Sequence, residues 1–484
     1  MDAHRLKFGR DVTIAAAATA TRSGRNLLLL PLLTRFLTPD DFGLYSQIAV
    51  TVALLIPWVS LQLSGAVVHF LAGINARGQI REGFYSILLF VGLCGSLCAL
   101  LVYLLLPLLS WLPLLERLAP YAGAIALLLA VTAVNDVVLS YFRAFRLMLT
   151  HSALALGHNT VEILAIAIAV WHHPDLQLVL LAMVAARCLS LSVGLVAIAF
   201  RIGLGLPRFH HLRTYLDFSL PLVPESSFYR IFDATDRYVL GAVMGTAAVG
   251  LYHASFTAAS LFTTFLAPVN FVMLPLMADL WNNDRRQDLG NYMTQTIRYA
   301  AMLVLPAFAV ALFLAEPVLS WLLPPSYAQA STFFPLLALG FVVYGFGVMA
   351  GNLLVTLGET RLTMRITGAM ALMNVALNLL LIPMAGIMGA IAATLASHLF
   401  YTAANLILSR RRLHYRLPWR PILHYGAAAT AAGLLVAFAN TVLLAGPVVL
   451  ITGGGILYLA LLWWTGGISS RELLFLHGMV SRRR

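Results

Sequence analysis

Long apolar stretches separated by short polar connections repeat along the chain from near Val12 to near Trp464. Taken in order, the hydrophobic pattern predicts fourteen spans: 12–36, 42–71, 83–111, 118–142, 149–171, 174–200, 215–241, 247–280, 291–323, 327–357, 362–384, 386–409, 421–444 and 446–465. Each stretch holds about 20 or more residues, enough to cross roughly 30 Å of hydrocarbon as a helix. Backbone polar groups in lipid must be satisfied internally, and continuous apolar runs, rather than short alternating ones, select helices over a β-barrel. The expected fold class is therefore all-α: a polytopic membrane protein of about 14 transmembrane helices.

Composition agrees with this pattern. Of 484 residues 61% are hydrophobic and 10% charged, and the mean hydropathy is +0.88, which leaves no room for a sizeable soluble domain. The basic residues 1–11 precede a segment that carries Arg22 and Arg25 and continues as a full span, so no cleavable signal peptide is expected. Cys94, Cys98 and Cys188 all fall inside spans, where thiols pack as small hydrophobes.

The net charge of +12 first raises nucleic acid as a partner, but its placement excludes that. Arg5, Lys7 and Arg10 precede span 1. Every second connection after it is basic: Arg77/Arg81, Arg143/Arg146, Arg201/Arg208/Arg213, Arg285/Arg286, Arg361/Arg365, and Arg410, Arg411, Arg412, Arg416 and Arg420. With Arg471 and Arg482 to Arg484 these make 23 of the 31 Lys and Arg, against Arg35 and Arg117 alone in the opposite set. By the positive-inside rule the rich side, with both termini, is cytoplasmic, where it can also meet anionic lipid headgroups. The outer connections, such as TPDD and LPPSY, are too short to hold the catalytic loop of a membrane polysaccharide polymerase, so no enzyme is expected.

The chain also repeats itself. Gly43-Leu44-Tyr45 returns as Gly250-Leu251-Tyr252, which lays span 1 over span 7 and span 2 over span 8. Six intervening spans, an even number, keep the orientation, so the halves are parallel repeats about an axis along the membrane normal. A weaker echo sets Asn374 over Asn159.

The segments LLPLLTRFLTPDDFGLYS, DRYVLGAVMGTAAVGLY and NVALNLLLIPMAGIMGAIAAT, in this order and spacing, resemble the polysaccharide biosynthesis or O-antigen flippase family. That family lies within the multidrug/oligosaccharidyl-lipid/polysaccharide exporter superfamily, and the resemblance covers about residues 8–410. It implies an N-terminal lobe over 1–205, a C-terminal lobe over 206–412, and spans 13 and 14 with a cytoplasmic tail over 413–484. It also implies alternating access around a central cavity in the bacterial inner membrane. The cargo would be an undecaprenyl-diphosphate-linked oligosaccharide, and the partners a polysaccharide polymerase and a chain-length regulator. No cofactor is implied.

Ionisable groups at bilayer depth are costly and mark candidate sites. Arg22, Arg25 and Asn26 share one face near the middle of span 1, and Asn26 falls over Asp233, Ser23 over Arg230, in the repeat. One reading is a cationic cavity of Arg22, Arg25, Asn26, Arg230 and Arg298 that binds a diphosphate through planar guanidinium forks. The other pairs Arg22 and Arg25 with Asp233 and Asp236 across the lobe interface; both hold if that pair opens for an anionic substrate. Asp233, Asp236 and Arg237 are candidates for gating or coupling, Pro221 and Pro224 for a hinge, and Glu162 with Arg187 for a structural ion pair. Arg298, near a span end, can also snorkel.

Other signals weigh less. His172-His173 and His210-His211 lack the i, i+4 spacing of a helical zinc site, so no metal is expected. There is no Walker-type loop and Lys7 is the sole lysine, which removes ATP coupling within this chain. Gly241/Gly245 and Gly347/Gly351 fit small-xxx-small packing, and Trp58, Tyr229, Tyr252 and Phe256 are candidate sugar platforms. A multidrug exporter would present carboxylates to a cationic drug, whereas a lipid II flippase shares the anionic-cargo logic and stays open beside the oligosaccharide flippase.

Overall fold

The computed structural model describes residues 24–74, 76–111, 113–443 and 446–467, and every regular element among them is a helix. Helix α1 occupies 24–36. Thr38 then caps α2 (Pro39–Ser60) by accepting a hydrogen bond from the Asp41 N–H at 3.2 Å, with Pro39 at the first turn and Asp40 and Asp41 at the positive end of the helix dipole. The TPDD motif is thus a helix start.

Span 2 is broken where a continuous helix was expected. Leu61 and Gln62 adopt left-handed φ values of 47° and 55°, each costing roughly 1–2 kcal/mol for a non-glycine residue. The chain resumes as α3 (Leu63–Ala66) and a π-helical turn, Val67–Leu71. Gln62 Nε2 donates to Ser226 Oγ at 2.8 Å, which gives the turned-out side chain a partner.

The next helices are α4 (Arg77–Leu108), α5 (Pro113–Glu116), α6 (Ala122–Ala144), α7 (Met148–His172) and α8 (Leu176–Ile202). Span 7 is split in two: α9 (Leu212–Ser219) ends before Pro221, and α10 (Leu222–Met244) begins after it. The expectation that both prolines disrupt the helix needs correcting. Pro224 lies in the first turn of α10, where a missing N–H costs no helical bond, so the break belongs to Pro221.

The remaining elements are α11 (Thr246–Asn282), α12 (Arg286–Phe313), α13 (Ala315–Leu322), α14 (Ala330–Thr356), α15 (Thr360–Arg412), α16 (Trp419–Leu443) and α17 (Pro447–Trp464). Helix α15 is two helices meeting at Gly386 (φ 57°, ψ −131°), a conformation that favours glycine and sits at the start of expected span 12.

The chain is a multi-pass membrane protein. Ten of the described helices are long and apolar enough to cross a bilayer on length and composition, α15 being counted once for its two halves. Helix α10 fails that test because it carries Arg230, Asp233, Asp236 and Arg237. Side chains such as Phe200, Trp171 and Leu108 are 88%, 79% and 70% exposed, a burden that lipid removes and water would not.

The chain divides into two compact units. The first holds residues 1–257 and 367–393, the second 258–366 and 394–484. In the first, α6 packs against α4 and α8, and α7 against α8. In the second, α16 packs on α12 and α17, burying Tyr425, Ala429 and Leu462 together.

Within the first unit the Gly-Leu-Tyr repeat acquires a physical meaning. A Cβ on Gly43 would collide with the Thr246 carbonyl, and a Cβ on Gly250 with the Pro39 carbonyl. The first turns of α2 and α11 therefore cross with their backbones in contact, each glycine accepting the start of the other repeat. Of the small-residue pairs, Gly347 and Gly351 of α14 face Tyr401, Thr402 and Asn405, and Gly241 faces Gln47. Gly245 instead caps α10 at φ 84° with open space around it.

The packing at Gly347 is testable by thermal unfolding in detergent. Gly347→Val places its Cβ 3.0 Å from Thr402 Cα and should destabilise by about 1–3 kcal/mol. Gly426→Ala, which meets nothing within 4 Å, should stay within roughly 0.5 kcal/mol.

Candidate functional site

Four helical elements of the first unit bring arginines to one polar cavity of about 730 Å³. Arg25 comes from α1, Arg143 from the end of α6, Arg187 from α8 and Arg230 from α10. Asp136 is a carboxylate on the same lining, which Asn135, His151, His158 and Asn159 complete. With the histidines neutral, the lining is strongly cationic. It runs toward Arg143 and Met148, at the α6–α7 connection on the Arg-rich side.

Glu162 pairs with two of these arginines, Arg25 and Arg187. It is fully buried, and its Oε2 lies 3.0 Å from Arg25 Nη1 while Oε1 lies 3.8 Å from Arg187 Nη2. His158, one turn earlier on α7, reaches Oε2 at 3.4 Å, and Arg187 Nη1 also donates to Thr132 Oγ1. The two guanidinium groups keep 19% and 15% of their side-chain surface exposed. Both arginines pair with the buried carboxylate and still appear on the cavity lining.

The expected pairing of Arg25 with Asp233 or Asp236 is not found; Arg25 pairs with Glu162. On α10, Arg237 and Asp236 are both buried, with Arg237 Nη1 3.0 Å from Asp236 Oδ1. The Asp236 carboxylate also accepts from the Arg237 N–H at 2.7 Å and from Tyr252 Oη at 2.5 Å, and the guanidinium lies 4.2 Å from the Phe256 ring centroid. Gln47 Nε2 donates to the Arg237 carbonyl at 3.2 Å. Asp233 is more open, 3.6 Å from Arg237 Nη1 with 30% of its side chain exposed. Tyr252 and Phe256 thus close this cluster.

Asn26 is exposed and is not among the lining residues of the cavity. Arg298 belongs to the second unit, where its Nε donates to Tyr425 Oη at 2.8 Å. Arg22 lies outside the described residues. Sequence reasoning passed over Arg143, which was assigned to a connection, and Asp136, an intraspan carboxylate. It also passed over His158, although H-x-x-x-E on one helix face was a legible signal. Among the described residues no group of three or more His, Cys, Asp or Glu could hold a metal.

At the other end of the first unit, the crossing of α2 and α11 is tied by a polar cluster. Thr246 Oγ1 donates to Asp40 Oδ1 at 2.5 Å, and Arg117 Nη1 donates to the same oxygen at 3.1 Å and to Thr246 Oγ1 at 2.5 Å. Thr51 and Tyr238 hydroxyls meet at 2.5 Å further along.

The model of the family described as "Polysaccharide biosynthesis protein" matches residues 8–281, more than half of the chain. The chain belongs to this polysaccharide biosynthesis protein family. A second model, MatE, matches residues 221–380. Among solved structures, this family member is similar to the lipid II flippase MurJ in an inward closed conformation (TM-score 0.70, 14% identity, 92% of this chain and 97% of that one). It is also similar to an inward-facing multidrug resistance MATE family transporter of the MOP superfamily (TM-score 0.66, 13% identity, 81% and 94%). These likenesses establish the fold as that of membrane transporters. A curated relative, the probable low-salt glycan biosynthesis flippase Agl15 of Haloferax volcanii, is 24% identical over 234 residues, 48% of this chain and 48% of its own. The chain spans about half the length of the curated relatives it matches.

Removing one member of a buried ion pair leaves the other charge uncompensated and costs about 3–5 kcal/mol. Glu162→Gln should therefore lower stability on that scale in chemical denaturation. Adding Arg25→Gln should recover at least about 1 kcal/mol of it, a coupling that independent residues lack. Strict additivity would mean that Arg25 does not depend on Glu162.

Proposed function

We propose that the protein is a flippase that carries an undecaprenyl-diphosphate-linked oligosaccharide from the cytoplasmic to the periplasmic leaflet of the bacterial inner membrane. The observation that carries this reading is the cavity of Arg25, Arg143, Arg187 and Arg230. A diphosphate carries several negative charges that hydrocarbon does not solvate, and guanidinium forks bind phosphate oxygens while remaining protonated. The glycan-flippase relative and the family description support a polysaccharide cargo.

Transport proceeds by alternating access of two lobes, 1–205 and 206–412, with both termini cytoplasmic. The cavity then opens to the cytoplasm, and the Gly43/Gly250 crossing with its Asp40–Arg117–Thr246 cluster closes the outer end. Pro221 and the Leu61–Gln62 break supply points where helices can bend. Asp233, with its half-open pairing to Arg237, is the better placed of the two α10 carboxylates for gating. Spans 13 and 14 lie outside the lobes, and a polymerase with its chain-length regulator would receive the product. Lipid II is the second reading, favoured by the fold shared with MurJ and by the same charge requirement.

Two measurements test this reading. In proteoliposomes, Arg25→Gln combined with Arg230→Gln should slow translocation of the lipid-linked oligosaccharide by at least about tenfold at unchanged protein level; an unchanged rate would reject the cationic cavity. In a cysteine-free background, Ser64→Cys, on the cavity lining, should react with a membrane-impermeant maleimide from the cytoplasmic side only. Adding Gly250→Val, which wedges the outer crossing, should open it to the periplasmic side. Equal labelling from both sides before the wedge is added would contradict the closed outer end.

A further inference from the structure

A second cavity of the first unit, about 560 Å³, has a different chemistry. It lies at the Arg-rich helix ends and is lined by Phe70, Gln79, Glu82, Arg208, His211 and Tyr215, among others. Its size is in the range of about 300–1,000 Å³ found for small-molecule sites. The single arginine is already paired, with Arg208 Nη1 3.2 Å from Glu82 Oε1, so the charges of the lining cancel with the histidines neutral. That balance does not select a phosphate, unlike the neighbouring arginine cavity.

The walls are held in place. The Arg208 N–H donates to Ser86 Oγ at 2.9 Å, which fixes the connection before α9 against α4. Phe70 and Tyr215 pack with ring centroids 5.2 Å apart, and Phe218 backs them, 5.4 Å from Phe70 and stacked on His69 at 4.3 Å. Gly83 lets Tyr215 close in, because a Cβ there would lie 3.0 Å from Tyr215 Oη. The outcome is an aromatic wall beside a carboxylate, a guanidinium and a carboxamide.

We propose that this cavity binds uncharged sugar rings of the cargo glycan while its diphosphate occupies the arginine cavity. A sugar ring presents an apolar C–H face suited to an aromatic wall. Its hydroxyls both donate and accept, and so match Glu82, Arg208 and Gln79. The two cavities adjoin along the chain: Ser64 of α3 lines the first, and Phe70 of the π-helical turn that follows lines the second. This assignment rests on the flippase reading.

The test uses the full chain in nanodiscs with two probes: undecaprenyl diphosphate bearing an oligosaccharide, and bare undecaprenyl diphosphate. Glu82→Gln and, separately, Phe70→Ala should each weaken binding of the glycan-bearing probe by about tenfold and leave the bare probe within about twofold. Two variants are used so that a folding defect from unpairing Arg208 does not decide the outcome. Equal weakening of both probes, or of neither, would overturn the sugar site. Selective loss of phosphatidylglycerol retention, with the glycan probe unaffected, would overturn it in favour of an anionic lipid site. Arg25→Gln separates the two ideas, because it should weaken both probes. If it weakens neither while Glu82→Gln still discriminates, the cationic-cavity reading fails and the sugar site stands.

Discussion

A guanidinium placed near the middle of a bilayer costs about 3 kcal/mol on insertion scales, and this membrane protein lines one cavity of its first unit with four arginines. Glu162 makes that tolerable. Its carboxylate sits fully buried behind the cavity wall with Arg25 at 3.0 Å and Arg187 at 3.8 Å. It compensates both cations, which still line the cavity. The lining itself sets four arginines against one carboxylate, Asp136. One acid on α7 thus serves the cations of both α1 and α8.

The helix breaks have similarly local origins. Helix breaks fall at Leu61–Gln62, Pro221 and Gly386, where the i to i−4 ladder is interrupted by left-handed residues, by an imide nitrogen or by a glycine at φ 57°. Two of these adjoin one another through the Gln62–Ser226 hydrogen bond. At the other end of the unit, the glycines of the repeat allow two helix starts to touch, and a charged cluster then ties them together. In the proposed transport cycle this is the contact that opens.

Much of the architecture could be read from the sequence. Hydrophobic run length located most of the described spans, though spans 2, 7 and 9 are each divided, and Gly386 divides the last pair of the repeat where the pattern did. The Gly43/Gly250 echo was visible as letters, though its reason, a mutual backbone approach, required coordinates. The site was only partly legible. Depth along a helix located Arg25, Arg187, Arg230 and Glu162, but not who faces whom, because a 3.6-residue period gives a face without its neighbour. Glu162 was matched to Arg187 alone because both lie on one hairpin, and its shorter contact, to Arg25, crosses from α1. Arg143 looked like a connection residue because a charge at a helix end reads as an orientation signal even when it lines a cavity. The break at Leu61–Gln62 carried no glycine, and Pro57 lies too far upstream to mark it.

The most direct test of the central claim, that the cavity selects an anionic phosphate headgroup, is native mass spectrometry of the purified protein with undecaprenyl diphosphate and undecaprenol. The two lipids share a tail and differ in the group the arginines are held to meet. The account predicts that the diphosphate is retained at least about tenfold more tightly and that added pyrophosphate displaces it. Equal retention of the two lipids, unaffected by pyrophosphate, would contradict it.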